Sequence, residues 1–268
     1  LVVGVNDLIK RLSQAVSTST ALRHEMTLAR RIQTALLPRC LENIHPDLEI
    51  VAKMLPADQV GGDFYDIAAD GKGRPWIAIG DVSGHGVASG LIMMMAQSIH
   101  AAALSEPDRD AKSVVVKTNR ILYGNVNERL GEKHFMTFLT MTYLGDGLFQ
   151  HAGAHLSMII VRRKTGDCEL VRTEGIYLNL KRDISRSIRN ATFRLAPGDR
   201  LVLYTDGLTE AENPEGKLLD LGGFIEIVKN HARRDPAICL KRIMADVTRW
   251  SGNRRSDDMT LIIVKRRA

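Results

Sequence analysis

The spacing of apolar positions changes near residue 38. Upstream of it, apolar or small residues recur at alternating steps of three and four, at Val5, Leu8, Leu12, Ala15, Ser19, Leu22, Met26, Ala29, Gln33 and Leu36. This 3.5-residue period is typical of a coiled coil, although a helix packed on its own domain shows a similar stripe. Pro38 ends the pattern because proline cannot continue a helix. We predict a coiled-coil linker and homodimerisation segment over 1–37 and a second domain over 38–268.

Downstream of residue 48 the pattern changes to short segments of apolar or alternating residues separated by turn residues, as in β-strands. Strands are predicted near 48–55, 63–70, 75–82, 134–144, 148–154, 156–163, 168–173, in two pieces of 191–207, and at 259–267. Helices are predicted near 87–104, 110–130, 220–231 and 235–250. Long runs of meandering strands with inserted helices favour an α+β fold, in which two antiparallel sheets pack together and are flanked by helices.

Composition narrows the class of protein. Hydrophobic residues make up 44% of the 268 residues, enough for a sizeable core, and no run approaches 18 apolar residues, so no membrane span is predicted. The three cysteines, Cys40, Cys168 and Cys239, have no disulfide or metal-ligand spacing. We therefore expect a cytoplasmic location, which includes the cytoplasmic output domain of a larger, membrane-attached sensor protein. Because the chain starts with Leu1 inside the helical pattern, we expect an upstream sensor domain outside this fragment.

The net charge of +6 raises the question of a nucleic-acid partner. The basic clusters are dispersed along the chain, and aromatic residues make up only 5% and do not interleave with them. An acidic or phosphorylated protein is at least as natural a partner. We predict no nucleic-acid binding.

Acidic residues recur in one local setting, at the edge of an apolar strand and beside glycine, serine or threonine. These residues are Asp63 in VGGDFYD, Asp81 in IAIGDVSGHG, Asp206 in LVLYTDGLTE, and Asp257 and Asp258 in SDDMTLIIV. Each motif alone is more typical of a turn or a helix cap, so the interpretation rests on all of them together.

Such carboxylates on one surface would repel one another, and no arginine or lysine accompanies them within the motifs. One or two divalent cations would balance the charge. Hard oxygen ligands without clustered cysteine or histidine favour Mg²⁺ or Mn²⁺ over Zn²⁺.

Five motifs in order, QTALLPR, VGGDFYDI, IGDVSGHGVASGLIMMM, YTDGLTEAENPEG and SDDMTLIIV, resemble the PPM-type metal-dependent serine/threonine protein phosphatases. The resemblance is to the SpoIIE-like, RsbU-like bacterial branch and runs from about residue 30 to 266. It implies an α-β-β-α sandwich with a binuclear Mg²⁺ or Mn²⁺ centre. Four residues would supply carboxylate ligands, namely Asp63, Asp81, Asp206 and Asp257.

The resemblance also implies supporting roles around these ligands. Asp81 would bridge the two ions, and the backbone carbonyl of Val82 would be a further ligand. Asp258 would support the ligands, although the motif does not decide whether it or Asp257 binds. Asp66 is a candidate supporting acceptor or an ordinary polar residue at a strand end. Two glycines of the motifs, Gly62 and Gly207, are predicted to support the site.

The implied reaction is hydrolysis of phosphoserine or phosphothreonine on a partner protein by a metal-bridged hydroxide. In this branch the partner is commonly a phosphorylated STAS-type anti-sigma-factor antagonist. His85 is a candidate for protonating the leaving oxygen, because eukaryotic relatives place a histidine near the bridging aspartate, but its spacing differs and it can equally shape the turn. The nearby His134, His151 and His155 are interpreted as structural.

The resemblance implies regulation as well. The helices at 87–104 and 110–130 would form a switch that contacts the LLP end of the N-terminal helix. The alternative function is a pseudophosphatase that binds a phosphoprotein without hydrolysing it. Retention of all four predicted ligands favours the enzyme.

Overall fold

The computed structural model describes residues 25–38, 41, 44–57, 60–107 and 109–267. In this part of the chain, two five-stranded antiparallel sheets pack face to face and helices cover both outer faces. The predicted fold class is therefore confirmed for the second domain. Most of the predicted coiled coil, residues 1–24, lies outside the described residues.

The first sheet, sheet I, has the strand order β2-β3-β4-β5-β8. Its strands are β2 (Asp63–Ala69), β3 (Pro75–Val82), β4 (Met136–Gly145), β5 (Leu148–Ala154) and β8 (Ala191–Arg194). The second, sheet II, has the order β1-β10-β9-β6-β7. Its strands are β1 (Leu48–Leu55), β10 (Met259–Arg266), β9 (Arg200–Tyr204), β6 (Met158–Val161) and β7 (Cys168–Val171).

The helices agree closely with the sequence pattern. Residues 25–36 are helical and form the described part of α1. The others are α2 (Val87–Leu104), α3 (Ala111–Tyr123), α4 (Asp206–Thr209), α5 (Asp220–His231) and α6 (Pro236–Trp250). A π-helical segment, Gly124–Leu130, continues α3. The predicted helix at 110–130 is thus two kinds of helix joined end to end.

Strand alternation sorts the apolar residues into three layers. In β3, Trp76 and Ala78 face α2 and α3, whereas Ile77 and Ile79 face sheet II. The outer face of sheet II packs against α5 and α6 through Phe224, Ile243 and neighbouring residues. The space between the sheets is therefore filled with apolar side chains along most of its length, and any polar group at its end is held by a rigid scaffold.

Helix α2 is long and apolar enough to span a membrane by length and mean hydropathy alone. Ten of its residues are buried, and Met93 and Ala96 belong to the core beneath sheet I. Within this domain it therefore packs as a core helix.

Helix α1 contacts the domain through a polar residue. The buried Gln33 donates from Nε2 to Gly61 O (2.6 Å) and accepts at Oε1 from Gly61 N (3.1 Å). At the helix end, Gln97 of α2 donates to Leu36 O (2.5 Å). The LLP end of α1 therefore touches α2, as the resemblance implies, and Gln33 packs on its own domain.

Candidate metal centre

Two of the predicted ligands are cross-strand neighbours. Asp63 begins β2 and pairs with Asp81 near the end of β3. Both continue the set of residues that faces sheet II, because Tyr65, Ile67 and Ile79 lie on the same faces of their strands. Directly opposed residues of antiparallel strands have Cβ atoms about 5 Å apart. The two carboxylates therefore lie side by side at the end of the space between the sheets.

Sheet II supplies two hydroxyls to this pair. Thr205, which follows β9, donates from Oγ1 to Asp63 Oδ2 (2.8 Å), and Thr260 of β10 donates to the same oxygen (2.6 Å). The Thr205 hydroxyl in turn accepts from Thr260 N (2.9 Å). Because both hydroxyls bind Oδ2, they orient the carboxylate and leave its Oδ1 outside these two hydrogen bonds.

The two consecutive aspartates of the last motif differ in their surroundings. The buried Asp258 accepts from Ala57 N at Oδ1 (2.8 Å) and from Asp63 N at Oδ2 (3.4 Å), so both of its oxygens bind backbone. Asp257 is exposed, and its Oδ1 accepts from Asp258 N (2.8 Å). This difference favours Asp257 as the ligand and Asp258 as the support.

Both predicted supporting glycines lie where a side chain would collide with the site. A Cβ on Gly62 would be 2.8 Å from Val82 O and 3.2 Å from Asp81 Oδ1. A Cβ on Gly207, which follows Asp206, would be 2.0 Å from the backbone oxygen of Asp258. The close approach of a neighbouring backbone segment therefore requires glycine at both positions.

Burial and the charges of neighbouring carboxylates raise the pKa values of these aspartates. Burial, followed by the charges of Asp81 and Asp258, raises the pKa of Asp63 well above its usual range. Burial, followed by Asp206, Asp257 and Asp258, raises the pKa of Asp81 to about 8.

The pKa values of the other two predicted ligands are shifted in the same direction. Burial is the largest cause of the raised pKa of Asp206, and Glu210 adds to it. Burial also raises the pKa of Asp257, with the charges of Asp206 and Asp258 contributing. Among the described residues, no lysine or arginine forms an ion pair with these aspartates or with Asp258. The structure thus brings together carboxylates from four chain segments, and within the described part of the chain none of them is balanced by a lysine or arginine ion pair.

A buried histidine joins the two sheets beneath this centre. Burial lowers the pKa of His155 to about 4, so the ring is neutral. Its Nε2 lies 2.9 Å from Tyr204 O, which can only accept, so Nε2 carries the proton and Nδ1 accepts from Thr137 Oγ1 (2.9 Å). Thr137 Oγ1 accepts from Asp81 N (2.9 Å). This chain of bonds ties the Asp81 end of β3 to the β9 end that precedes Asp206.

Asp66 does not belong to the centre, contrary to the prediction that it supports the ligands. It lies three positions after Asp63, so strand alternation places its side chain on the opposite face of β2. There its Oδ2 lies 2.9 Å from Nδ1 of the fully buried His100. The other ring nitrogen of His100, Nε2, lies 3.2 Å from Thr140 Oγ1. Asp66 therefore anchors α2 to sheet I.

His85 lies at the edge of the site. It is exposed, and its charge is one of the influences that lower the pKa of Asp257. Its neighbours Gly84 and Gly86 have positive φ values of 84° and 90°, so the loop at 83–86 turns sharply around it. We call this loop, which joins β3 to α2, the metal loop. This position is compatible with both predicted roles, proton transfer and shaping of the turn.

The donor set suits a hard divalent cation. Carboxylate and carbonyl oxygens are the ligands that Mg²⁺ and Mn²⁺ prefer, and mutual repulsion among unpaired carboxylates is relieved by cation binding. Among the described residues, no three acidic, histidine or cysteine side chains are close enough together to hold one ion as they stand. A ligand set for one ion would therefore require some of these carboxylates to move closer together.

Comparison with known proteins agrees with this geometry. The family described as Stage II sporulation protein E (SpoIIE) matches residues 71–267, which is most of the chain. The chain belongs to the SpoIIE family of PPM-type phosphatases. The prediction of a protein serine/threonine phosphatase is thereby confirmed at the level of the family.

Several relatives of this SpoIIE-family chain are similar over most of its length. Phosphoserine phosphatase RsbU of Bacillus subtilis (strain 168) is 25% identical over 251 residues, covering 92% of this chain and 71% of RsbU. The SiaA-PP2C domain of Pseudomonas aeruginosa is 23% identical with a TM-score of 0.74, covering 94% and 99% of the two chains. RsbX in complex with magnesium is 15% identical with a TM-score of 0.56, covering 83% and 96%. The structural likenesses establish the PP2C fold.

Sequence reasoning missed the residues that hold the ligands in place. Thr205 and Thr260 stand next to motif aspartates, and alternation along β9 and β10 would have placed them on the inner face. The role of His155 had no comparable signal, because it depends on how the two sheets stack.

Proposed function

We propose that this chain hydrolyses phosphoserine or phosphothreonine on a partner protein, and that the reaction depends on Mg²⁺ or Mn²⁺. The observation that carries the proposal is the carboxylate cluster at the end of the space between the sheets. Its members have raised pKa values and no lysine or arginine ion-pair partner among the described residues. An acidic cluster of this kind is balanced by divalent cations, and the relative RsbU is named as a phosphoserine phosphatase.

Four carboxylates would hold two ions, namely Asp63, Asp81, Asp206 and Asp257, with Asp81 bridging and Val82 O as a further ligand. The bound ions supply activation of water and neutralisation of phosphate charge. The protein's own contribution is positioning. Thr205 and Thr260 orient Asp63, the backbone amides of Ala57 and Asp63 hold Asp258, and Thr137 holds the backbone at Asp81.

His85 is proposed to act on the leaving oxygen from the rim of the site. Its exposure lets it exchange protons with solvent, and its ring lies near enough to Asp257 for their charges to interact. His85→Gln is expected to slow protein substrates, whose seryl or threonyl leaving group needs a proton, more than aryl phosphates, whose leaving group does not.

For the partner, we propose a phosphorylated STAS-type protein in a cytoplasmic partner-switching pathway. Two contacts support regulation through α1, since Gln33 bonds to the backbone just ahead of Asp63 and Leu36 O accepts from Gln97 of α2. A change in the angle of α1, set by dimerisation through residues 1–37 and by an upstream sensor, would reach the metal loop through these bonds.

Phosphate release by the purified chain tests the proposal. The substrates are a phosphorylated STAS-type protein and p-nitrophenyl phosphate, each with Mn²⁺, Mg²⁺ or chelator. We expect metal-dependent turnover that falls by at least about a thousandfold in Asp81→Asn, because removing a bridging charge removes transition-state stabilisation worth several kcal/mol. Metal binding without turnover of either substrate would contradict the proposal and support a phosphoprotein-binding pseudophosphatase.

A further inference from the structure

An exposed aromatic pair stands beside the metal loop. Phe135 and Tyr177 stack with ring centroids 5.9 Å apart and planes 13° apart, yet 39% and 41% of their surfaces are exposed. Leu180, three residues further on, is 50% exposed. We call these three residues the aromatic rim. Large apolar groups left together at a surface are typical of protein–protein contacts.

The rim is fixed directly to the metal loop, which follows the proposed ligands Asp81 and Val82. Ser83, two residues after Asp81, donates from its backbone N to Phe135 O (2.8 Å) and accepts at Oγ from Phe135 N (3.1 Å). Phe135 immediately precedes β4, which pairs with β3 along Asp81 and Val82. A protein seated on the rim therefore covers the entrance to the carboxylate cluster.

The segment that carries Tyr177 and Leu180 is held rigidly although it is irregular. Leu178 exchanges two backbone hydrogen bonds with Met136 (3.1 and 2.8 Å). Asn179 is buried and has a positive φ of 71°. Its side chain accepts at Oδ1 from Asn127 Nδ2 (2.6 Å) and donates from Nδ2 to His134 O (2.5 Å). Its backbone N donates to Asn119 Oδ1 (2.8 Å). Burial of Leu178 and Asn179 presents their two neighbours, Tyr177 and Leu180, to solvent in a preformed arrangement.

Charge beside the rim indicates what kind of surface it binds. Residues 176–189 contain one acidic residue, Asp183, and four basic residues, which are Lys181, Arg182, Arg186 and Arg189. All five are exposed, and Arg182 also pairs with Glu128 of the π-helical segment (3.1 Å). An apolar centre with a basic border complements a protein surface with apolar side chains and acidic residues around its phosphorylated residue.

We propose that the aromatic rim and the basic segment 176–189 dock the phosphoprotein substrate and select acidic sequences around the phosphorylated residue. This inference rests on the proposed phosphatase function. The rim supplies apolar contact area, and the basic segment orients the acidic flank of the substrate so that its phosphate enters the carboxylate cluster.

The test compares a small substrate with two phosphopeptides. p-Nitrophenyl phosphate reaches the metal centre without covering the rim. The two 15-residue phosphoserine peptides carry the same apolar residues but either Asp and Glu or Lys in their flanks, and each is long enough to span about 50 Å. We expect the wild type to favour the acidic peptide in kcat/KM by about tenfold.

Two variants and one control probe the surface. Phe135→Ala combined with Tyr177→Ala should lower kcat/KM for the acidic peptide about tenfold, mainly through KM, with p-nitrophenyl phosphate turnover within twofold of wild type. Lys181→Glu combined with Arg182→Glu should reverse the peptide preference. Leu170→Ala, which removes a comparably exposed residue (46%) from β7 in sheet II, should change neither substrate. A melting temperature close to that of wild type confirms folding of each variant.

Distinct results overturn the inference and the underlying function. Equal hydrolysis of both peptides, or parallel loss of peptide and aryl phosphate activity in the aromatic variant, refutes docking at the rim while the phosphatase stands. A change of sedimentation from dimer to monomer in the aromatic variant refutes it in favour of a second copy of this chain as the occupant. Absence of metal-dependent p-nitrophenyl phosphate turnover in the wild type refutes the phosphatase itself.

Discussion

The two ends of the β2–β3 hairpin carry buried aspartates in opposite electrostatic settings. At one end Asp63 and Asp81 share a pocket with further carboxylates. At the other, roughly 20 Å away along the strands, the side chain of Asp70 is fully buried between two arginines, Arg74 Nε (2.9 Å) and Arg109 Nη2 (2.9 Å).

The pKa values follow this difference. Burial alone would raise the pKa of Asp70, but hydrogen bonds from the backbone of Arg74 and Lys72 and from the indole of Trp76 lower it. The pKa values of Asp63 and Asp81 are raised. One hairpin thus holds a buried carboxylate that arginines neutralise at one end and carboxylates without such partners at the other.

Removing the charge should have opposite consequences at the two ends. Asp70→Asn leaves Arg74 and the nearly buried Arg109 without a counter-charge and should lower the free energy of unfolding by about 3–5 kcal/mol. Asp81→Asn in metal-free buffer above pH 8, where the Asp81 carboxylate is ionised, relieves repulsion and should raise the free energy of unfolding. Urea unfolding of both variants with chelator present measures this. Equal destabilisation by the two substitutions would show that the carboxylate cluster is a structural network like that of Asp70.

The threonines that orient Asp63 should matter for metal affinity. Thr260→Val keeps the side-chain shape but removes a hydrogen bond to Asp63 Oδ2, and Thr205→Val removes the other. Loss of such outer contacts typically weakens metal binding by about 10- to 100-fold. Calorimetric titration with Mn²⁺ measures the change, and Thr142→Val, at a buried threonine further along β4, is the control. Identical affinities in all variants would mean that the hydroxyls do not position a ligand.

The bonds of His155 predict a pH-dependent cost of removing it. The folded ring stays neutral down to about pH 4, whereas the unfolded ring takes up a proton below its ordinary pKa of 6.5, so this residue loses stabilising effect as the pH falls from 6.5 to 4. Glutamine has no such proton uptake. His155→Gln should therefore cost less at pH 5 than at pH 7, by about 2 kcal/mol. A cost that is the same at both pH values would show that the ring is charged in the folded protein.

Sequence patterns predicted most of the fold because alternation and turn residues agree with the final strands. Helix α2 and strands β1, β3, β5 and β9 lie where the pattern placed them, since each has a clear apolar period or run. The segment 176–189 has no such period, and its order depends on the buried Asn179 and its contacts with α3 and the π-helical segment. Of the two interpretations of Asp66, the supporting role is wrong, because strand alternation turns its side chain away from Asp63 and toward His100.

Of the candidate site, the acidic residues could be singled out from the sequence, whereas the threonines that support them could not. The motifs place Asp63, Asp81, Asp206, Asp257 and Asp258 at the edges of apolar strands, and the family resemblance implies which of them bind metal. The hydroxyls of Thr205 and Thr260 reach Asp63 across the gap between the sheets, and that relationship arises only when the sheets stack. Thr137 instead binds Asp81 N within sheet I. The distinction between Asp257 and Asp258 likewise required knowing which backbone amides each one meets.

The central claim is that the cluster at the Asp63 end of the hairpin binds divalent cations. Calorimetric titration of the metal-free chain with Mn²⁺ tests it most directly, with wild type and Asp81→Asn measured side by side. The account predicts saturable binding by the wild type, accompanied by proton release, and binding at least about a hundredfold weaker in the variant. Equal binding by the two proteins, or none by the wild type, would contradict it.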